Sequence, residues 1–280
     1  MLDPRLDRMI SHDEIGIATA RIAGAVVRSA FQPVYEARGD LLEPVAVEGF
    51  ARPFVAGAAV PPRVFLSRLD DGERREAERA CMVLHCRNLP NLAEPGIAHV
   101  VAHVVALDGF VLDADGKPDR GLLAEAGRGA ARGSVGRLRS PCFVDAAGHA
   151  LLAAALREQG MLVSLGGFGA SGSVWEDYRA TRPDVVHLDG PWFRRIASDE
   201  PALRLLAQLV KRLRDDGARV LVRGIETRTQ LASAIAIGCD LFQGYALARP
   251  ALVGTDIDLG PKSLNLEADI GSKIVTLFDR

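Results

Sequence analysis

The chain has 280 residues, of which 48% are apolar and 25% charged, with a formal net charge of −2. That length supports one large domain or two small ones around a sizeable core, and the near-neutral balance supplies no global basic field for nucleic acid or an anionic membrane. No apolar run reaches the ~18 residues of a membrane span, and the start lacks the charged region, apolar run and small-residue cleavage site of a secretion signal, so a cytoplasmic protein, or the soluble part of a longer one, is expected.

In chain order, residues 12–30 are predicted helical, from His12-Asp13-Glu14 as a start and the spacing of Ile15, Ile22, Val26 and Val27. "FQPVYEA" (31–37) reads as a strand, "RGD" (38–40) as a turn and "LLEPVAVEGFARP" (41–53) as a second strand antiparallel to the first. Residues 72–89 form a charged amphipathic helix, and "IAHVVAHVVAL" (97–107) a buried strand, while 111–140, rich in Gly, Ala and Arg, show no clear period. From 149 the rhythm is regular. "HALLAAALREQG", "VWEDYRATR", "PALRLLAQLVKRLRDDG" and "RTQLASAIAIG" read as helices. "MLVSLGG", "DVVHLDG", "ARVLVRGIE" and "DLFQGYALARP" read as the strands that follow them. Cys81, Cys86, Cys142 and Cys239 include no CxxC pair, which argues against structural zinc, and the expected cytoplasmic compartment argues against a disulfide framework.

Repeated helix–strand units with buried strands give a parallel sheet. Four units in the second half, with room for more upstream, predict a (β/α)8 barrel of the TIM type whose first strand is antiparallel. A doubly wound open sheet is the fold alternative.

In such a barrel the functional groups stand at the C-terminal strand ends. Those positions hold Glu48 and Arg52, Gly166 and Gly167, His187 and Asp189, Arg223 and Glu226, and Gln243. Singly, a strand-end carboxylate is more often a cap or an ion-pair partner; together on one rim these residues point to a site.

These residues carry a resemblance. The chain resembles the EAL domain, the barrel that hydrolyses the bacterial second messenger cyclic di-GMP, over roughly residues 12–252. "FQPVYEARGDLLEPVAVEGFARP" is similar to that family's opening, with the signature reading Glu48-Gly49-Phe50 and Arg52 in place. "RPDVVHLDGPWFRRI" resembles its Lys-Ile-Asp segment. "VLVRGIETRTQLASAIAIGCDLFQGYALARP" resembles its closing Glu-Gly-Val-Glu-Thr, Gly-Cys-Asp and Gln-Gly-Tyr run.

The resemblance implies two divalent metals that polarise a phosphate and generate hydroxide. Of their ligands Glu48 and Gln243 remain. The two loop aspartates are Gly166 and Gly167, the lysine position is His187, and the first glutamate of Glu-Gly-Val-Glu is Arg223. The place of the metal-ligand Asn falls near His103, and that of the fourth-strand Glu near Asp145. Gly supplies no side-chain ligand and Arg adds a positive charge, so a metal-free, non-hydrolytic barrel with no cofactor is expected.

Two roles follow. One is a metal-independent cyclic di-GMP receptor in motility or biofilm control, with Arg52 and Arg223 on the phosphates, Gly166 and Gly167 admitting backbone N–H groups, and Phe168 either stacking on guanine or anchored inside. The other is a protein-interaction scaffold with an unidentified partner, in which Arg223 pairs with Glu48 or Asp189 and fills the site. The domain reading is a helical extension over 1–30, a barrel over 31–252 and a tail over 253–280 in which "SKIVTLF" could dock. A homodimer is implied by the resemblance alone.

Overall fold

The computed structural model describes residues 2–92, 102–106, 112, 116–128, 135–139, 145–169 and 174–264. Among these, eight strands close on one another: β1 (Ala25–Arg38), β2 (Leu41–Val55), β3 (Ala102–Ala106), β4 (Val135–Arg139), β5 (Leu162–Phe168), β6 (Val185–Leu188), β7 (Arg219–Val222) and β8 (Leu241–Phe242). Every neighbouring pair from β2 round to β8 is parallel. β1 runs antiparallel to both β2 and β8 and closes the ring. The closed ring replaces the open-sheet alternative and agrees with the expected barrel.

Helices between the strands form the outer layer. α1 (Asp71–Asn88) starts at a capping box in which Asp70 accepts from Glu73 N and Glu73 accepts from Asp70 N. Asp199 caps the helix Glu200–Asp215, which buries Leu206, Val210 and Leu213, three residues on one face at helical spacing. Thr227 and Gln230 form a second capping box before Arg228–Ala236. The large core cluster lies between these helices and the outer face of the ring. A small one, made of Val34, Ala46, Val185, Leu221 and Leu241, fills part of the interior.

The helix expected over 12–30 is absent. A short helix, Pro4–Met9, is followed by strands Ile10–His12 and Ala18–Ile22, which extend the sheet as a meander onto β1. The physical reason is the turn at Ala23-Gly24, where both residues have positive φ, 45° and 77°, and Ile22 pairs with Ala25. A two-residue loop of this kind joins antiparallel strands. Ala18, Ala20 and Ile22 are then buried at a period of two, which places them on one face of a strand.

Asn88 on α1 locks this meander: its side chain accepts from Ala18 N at 2.7 Å and donates to Ala18 O at 2.9 Å and to Ser29 Oγ at 3.0 Å. Ser29 in turn meets His85 Nδ1 at 2.8 Å. The His85 ring lies so close over β2 that a Cβ at position 49 would stand 2.7 Å from it, which requires glycine beside Glu48.

Helices unread from the sequence include Pro62–Leu66, Arg120–Arg128 and Gly190–Ile196. Past the barrel, Lys262–Ser263 pairs with β2, and Val253 and Leu259 pack with Ile17, Phe31 and Val47. The described part of the expected tail is thus docked on its own chain, while "SKIVTLF" lies outside the described residues. Among the described residues no helix is long and apolar enough to cross a membrane.

Candidate functional site at the C-terminal strand ends

Strand alternation decides which side chains enter the ring. Val34 of β1 and Ala46 of β2 belong to the interior cluster, so Gln32 and Glu48, two residues further and directly paired, face inward as well. Val185, Leu221 and Leu241 likewise put His187, Arg223 and Gln243 on the inner side. Ser164 lies between Val163 and Leu165 of the outer core and completes a polar level above the apolar one. Gln32, Glu48, Ser164, His187 and Gln243 are all buried.

Two bonds organise this level. Arg223 Nη2 stands 2.7 Å from Glu48 Oε2, and Arg223 Nε donates to Gln243 Oε1 at 3.1 Å. Glu48 is 2% exposed and the Arg223 side chain 26%. A carboxylate so deeply buried requires a partner, and the guanidinium supplies the positive charge. Gln32 turns its amide outward to donate to Ala248 O at 2.9 Å, which fixes the loop after β8. Gln243 Nε2 and Ser164 Oγ are buried without a hydrogen-bond partner among the described residues. Buried polar atoms of this kind call for a partner such as a ligand atom or water.

The other expected residues are placed differently. Gly166 and Gly167 end β5, where the register to β6 shifts between Leu165 and Phe168, and Gly167 has φ +103°. Of the two roles open to Phe168, its burial favours the anchor over stacking on guanine: the ring packs in the outer core, in T-shaped contact with Trp175 at 5.6 Å and Tyr178 at 6.0 Å. Asp189 caps Gly190–Ile196, accepting from Trp192 N at 2.8 Å. Glu226 is exposed and pairs with Arg194 at 3.2 Å. Asp145 caps Ala146–Glu158 from the surface, accepting from Gly148 N at 2.8 Å. The side chain of His103 lies outside the described residues.

The paired metals that the resemblance implies do not fit the residues present. Arg223 occupies by hydrogen bonds both the carboxylate and the amide oxygen that would be ligands, and its charge repels a cation. The two glycines offer no side chain. Among the described residues no group of three His, Cys, Asp or Glu could hold a metal ion.

Arg52 lies four residues beyond Glu48, on the same face, half-buried, with a hydrogen bond to Ala51 O. Its partner in the ladder is Arg28. Sequence reasoning missed Arg28 because it was assigned to a helix; the alternation that carries Glu48 to Arg52 carries Gln32 to Arg28. It missed Ser164 because a serine inside a buried strand carries no chemical signature.

Comparison with known proteins now bears on the site. The EAL domain family pattern matches residues 142–250. A segment of 108 residues, 39% of this chain, is 33% identical to the cyclic di-GMP phosphodiesterase PA2567 of Pseudomonas aeruginosa, and spans only 18% of that protein. Among solved structures, the cyclic di-GMP-bound FimX EAL domain of Pseudomonas aeruginosa superposes with a TM-score of 0.65 at 21% identity, covering 84% of this chain and 94% of that one. A standalone EAL protein of Vibrio cholerae O395 in its cyclic di-GMP-bound form gives 0.64 at 20%, covering 80% and 92%. The EAL enzyme Bd1971 in its cAMP-bound form gives 0.69 at 14%, covering 81% of this chain and 64% of that one. The family match thus lies in the second half of the chain, and the likeness of fold to EAL structures extends upstream of it.

Proposed function

We propose that this chain is a non-hydrolytic EAL barrel of cyclic di-GMP signalling that takes the dinucleotide at its mouth without metal. The observation that carries the proposal is the Glu48–Arg223–Gln243 arrangement. Hydrolysis in the metal-dependent scheme needs cations on the carboxylate and amide oxygens that Arg223 here engages. The same substitution lowers the cost of placing a ligand of charge −2 in the mouth, since Arg223 balances Glu48 and leaves Arg52 and Arg28 as net positive charge. The cyclic di-GMP-bound neighbours support the ligand's identity.

A second reading, a scaffold indifferent to nucleotide, is favoured by the same ion pair, because it ties Arg223 into the wall. The test is calorimetric titration of cyclic di-GMP into the protein with EDTA, beside an assay for linear dinucleotide with Mg²⁺ or Mn²⁺. Micromolar or tighter binding in EDTA and no linear product are expected. Linear product that vanishes in Glu48→Ala overturns the non-hydrolytic reading. Absence of binding by calorimetry and by an independent assay turns the assignment to a scaffold.

A further inference from the structure

The strongest unexplained feature lies above the polar level. Arg28 of β1 and Arg52 of β2 are direct partners in the antiparallel ladder. Their neighbours Val27 and Ala51 pack on the outer core, so the two arginines share the opposite face, the one that continues the barrel interior from Gln32 and Glu48. No bulge interrupts the ladder between Arg28↔Arg52 and Gln32↔Glu48. Four residues of strand set the two pairs about 13 Å apart.

Like charges directly opposed on a sheet are destabilising. Elsewhere among the described residues the chain answers such charges with ion pairs, as at Arg38 with Glu36 and Glu43 on the same hairpin. The Arg28 side chain has no hydrogen bond or ion pair among the described residues, and the Arg52 side chain has only the bond to Ala51 O. Both side chains are half-buried, so water screens them incompletely. Two guanidiniums held in register by a ladder present a forked set of N–H donors, the geometry that phosphate oxygens accept.

We propose that Arg28 and Arg52 together form a clamp for a phosphodiester at the barrel mouth. This rests on the receptor reading for the identity of the natural ligand and adds Arg28 as a binding residue. Position 28 then exchanges stability of the free protein for affinity, a trade met at functional sites.

The experiment compares wild type, Arg28→Gln and Arg52→Gln by calorimetry with cyclic di-GMP in EDTA, and by thermal unfolding at low salt with and without inorganic pyrophosphate at matched ionic strength. The expected result is about 10- to 100-fold weaker dinucleotide binding in each variant. The melting temperature of unliganded Arg28→Gln should rise rather than fall, which shows that the variant is folded. Dinucleotide binding by wild type that Arg28→Gln leaves unchanged overturns the clamp while the receptor reading stands. If wild type binds no dinucleotide, the receptor reading falls and pyrophosphate decides the clamp. Stabilisation of wild type that is lost in Arg28→Gln supports it, and no stabilisation overturns it.

Discussion

Arg223 Nη2 and Glu48 Oε2 meet at 2.7 Å across the barrel, joining β7 to β2, which are not neighbours in the ring. The bond is a strut between non-adjacent strands, with β8 and β1 between them, as well as a neutralisation of charge. Replacing Arg223 by Gln leaves a carboxylate that is 2% exposed without its cation, and the cost expected for breaking a buried pair is about 3 kcal/mol. The Glu48→Gln/Arg223→Gln double variant should recover most of it, since two amides carry no uncompensated charge. Urea unfolding of the cycle reads the coupling. Equal destabilisation by the single and double variants would show that the pair contributes packing and not charge balance.

The second half of the barrel was legible in the sequence, because each helix ends at a glycine or proline and each following strand contains a short apolar run. The structure adds the caps Asp199 and Thr227 at the starts of two of these helices. The first 30 residues were misread because Ile15, Ile22, Val26 and Val27 fit a helical period loosely, while the deciding signal was the Ala23-Gly24 turn. Alanine at φ 45° is an uncommon turn residue and gave no warning. In the site, the meeting of Arg223 with Glu48 was one of two pairings left open by sequence. Asp189 was removed from contention by a local event, capping of the helix Gly190–Ile196, which sequence had not revealed. Phe168 faces the outer core because of the register shift after Leu165; its trace in the sequence is the Gly166-Gly167 pair, which was read as an approach for a ligand and not as a bulge.

At Gly167 a backbone φ of +103° excludes an L side chain without strain. Gly167→Ala is therefore expected to destabilise by about 1–3 kcal/mol, and Gly167→Asp by at least as much. Restoring the aspartates that the resemblance implies would distort the strand end before it rebuilt a ligand. Unfolding midpoints of Gly167→Ala and Gly167→Asp check this; unchanged midpoints would show that the strand end relaxes freely.

The meander before β1 should depend on Asn88. Asn88→Leu removes the partners of both Ala18 backbone groups and one of Ser29, all buried. Stranding them should cost at least about 2 kcal/mol. The loss should be local, with faster amide exchange over residues 10–22 than over β5–β7. Uniform exchange across the barrel would mean instead that the meander unfolds only with the whole protein.

Cys86 offers a pH test with a defined sign. Its thiol is buried, and burial, with the Glu125 carboxylate adding to it, pushes its pKa from 9.0 up to about 12. In the unfolded chain the thiol ionises near pH 9, while in the folded protein it stays protonated to about pH 12. The unfolded state therefore sheds the proton first as the pH rises. The contribution of this thiol to stability is whole below pH 9 and declines through the window up to 12. Denaturant unfolding across that window should show a fall in stability that is shallower in Cys86→Ala than in wild type. At pH 8 a thiol reagent should modify Cys86 only at the rate at which the barrel opens, because the native thiol is neither ionised nor reachable. Rapid modification without denaturant would place Cys86 in a segment that opens independently of the barrel, and the shallower alkaline slope of Cys86→Ala should then vanish with it.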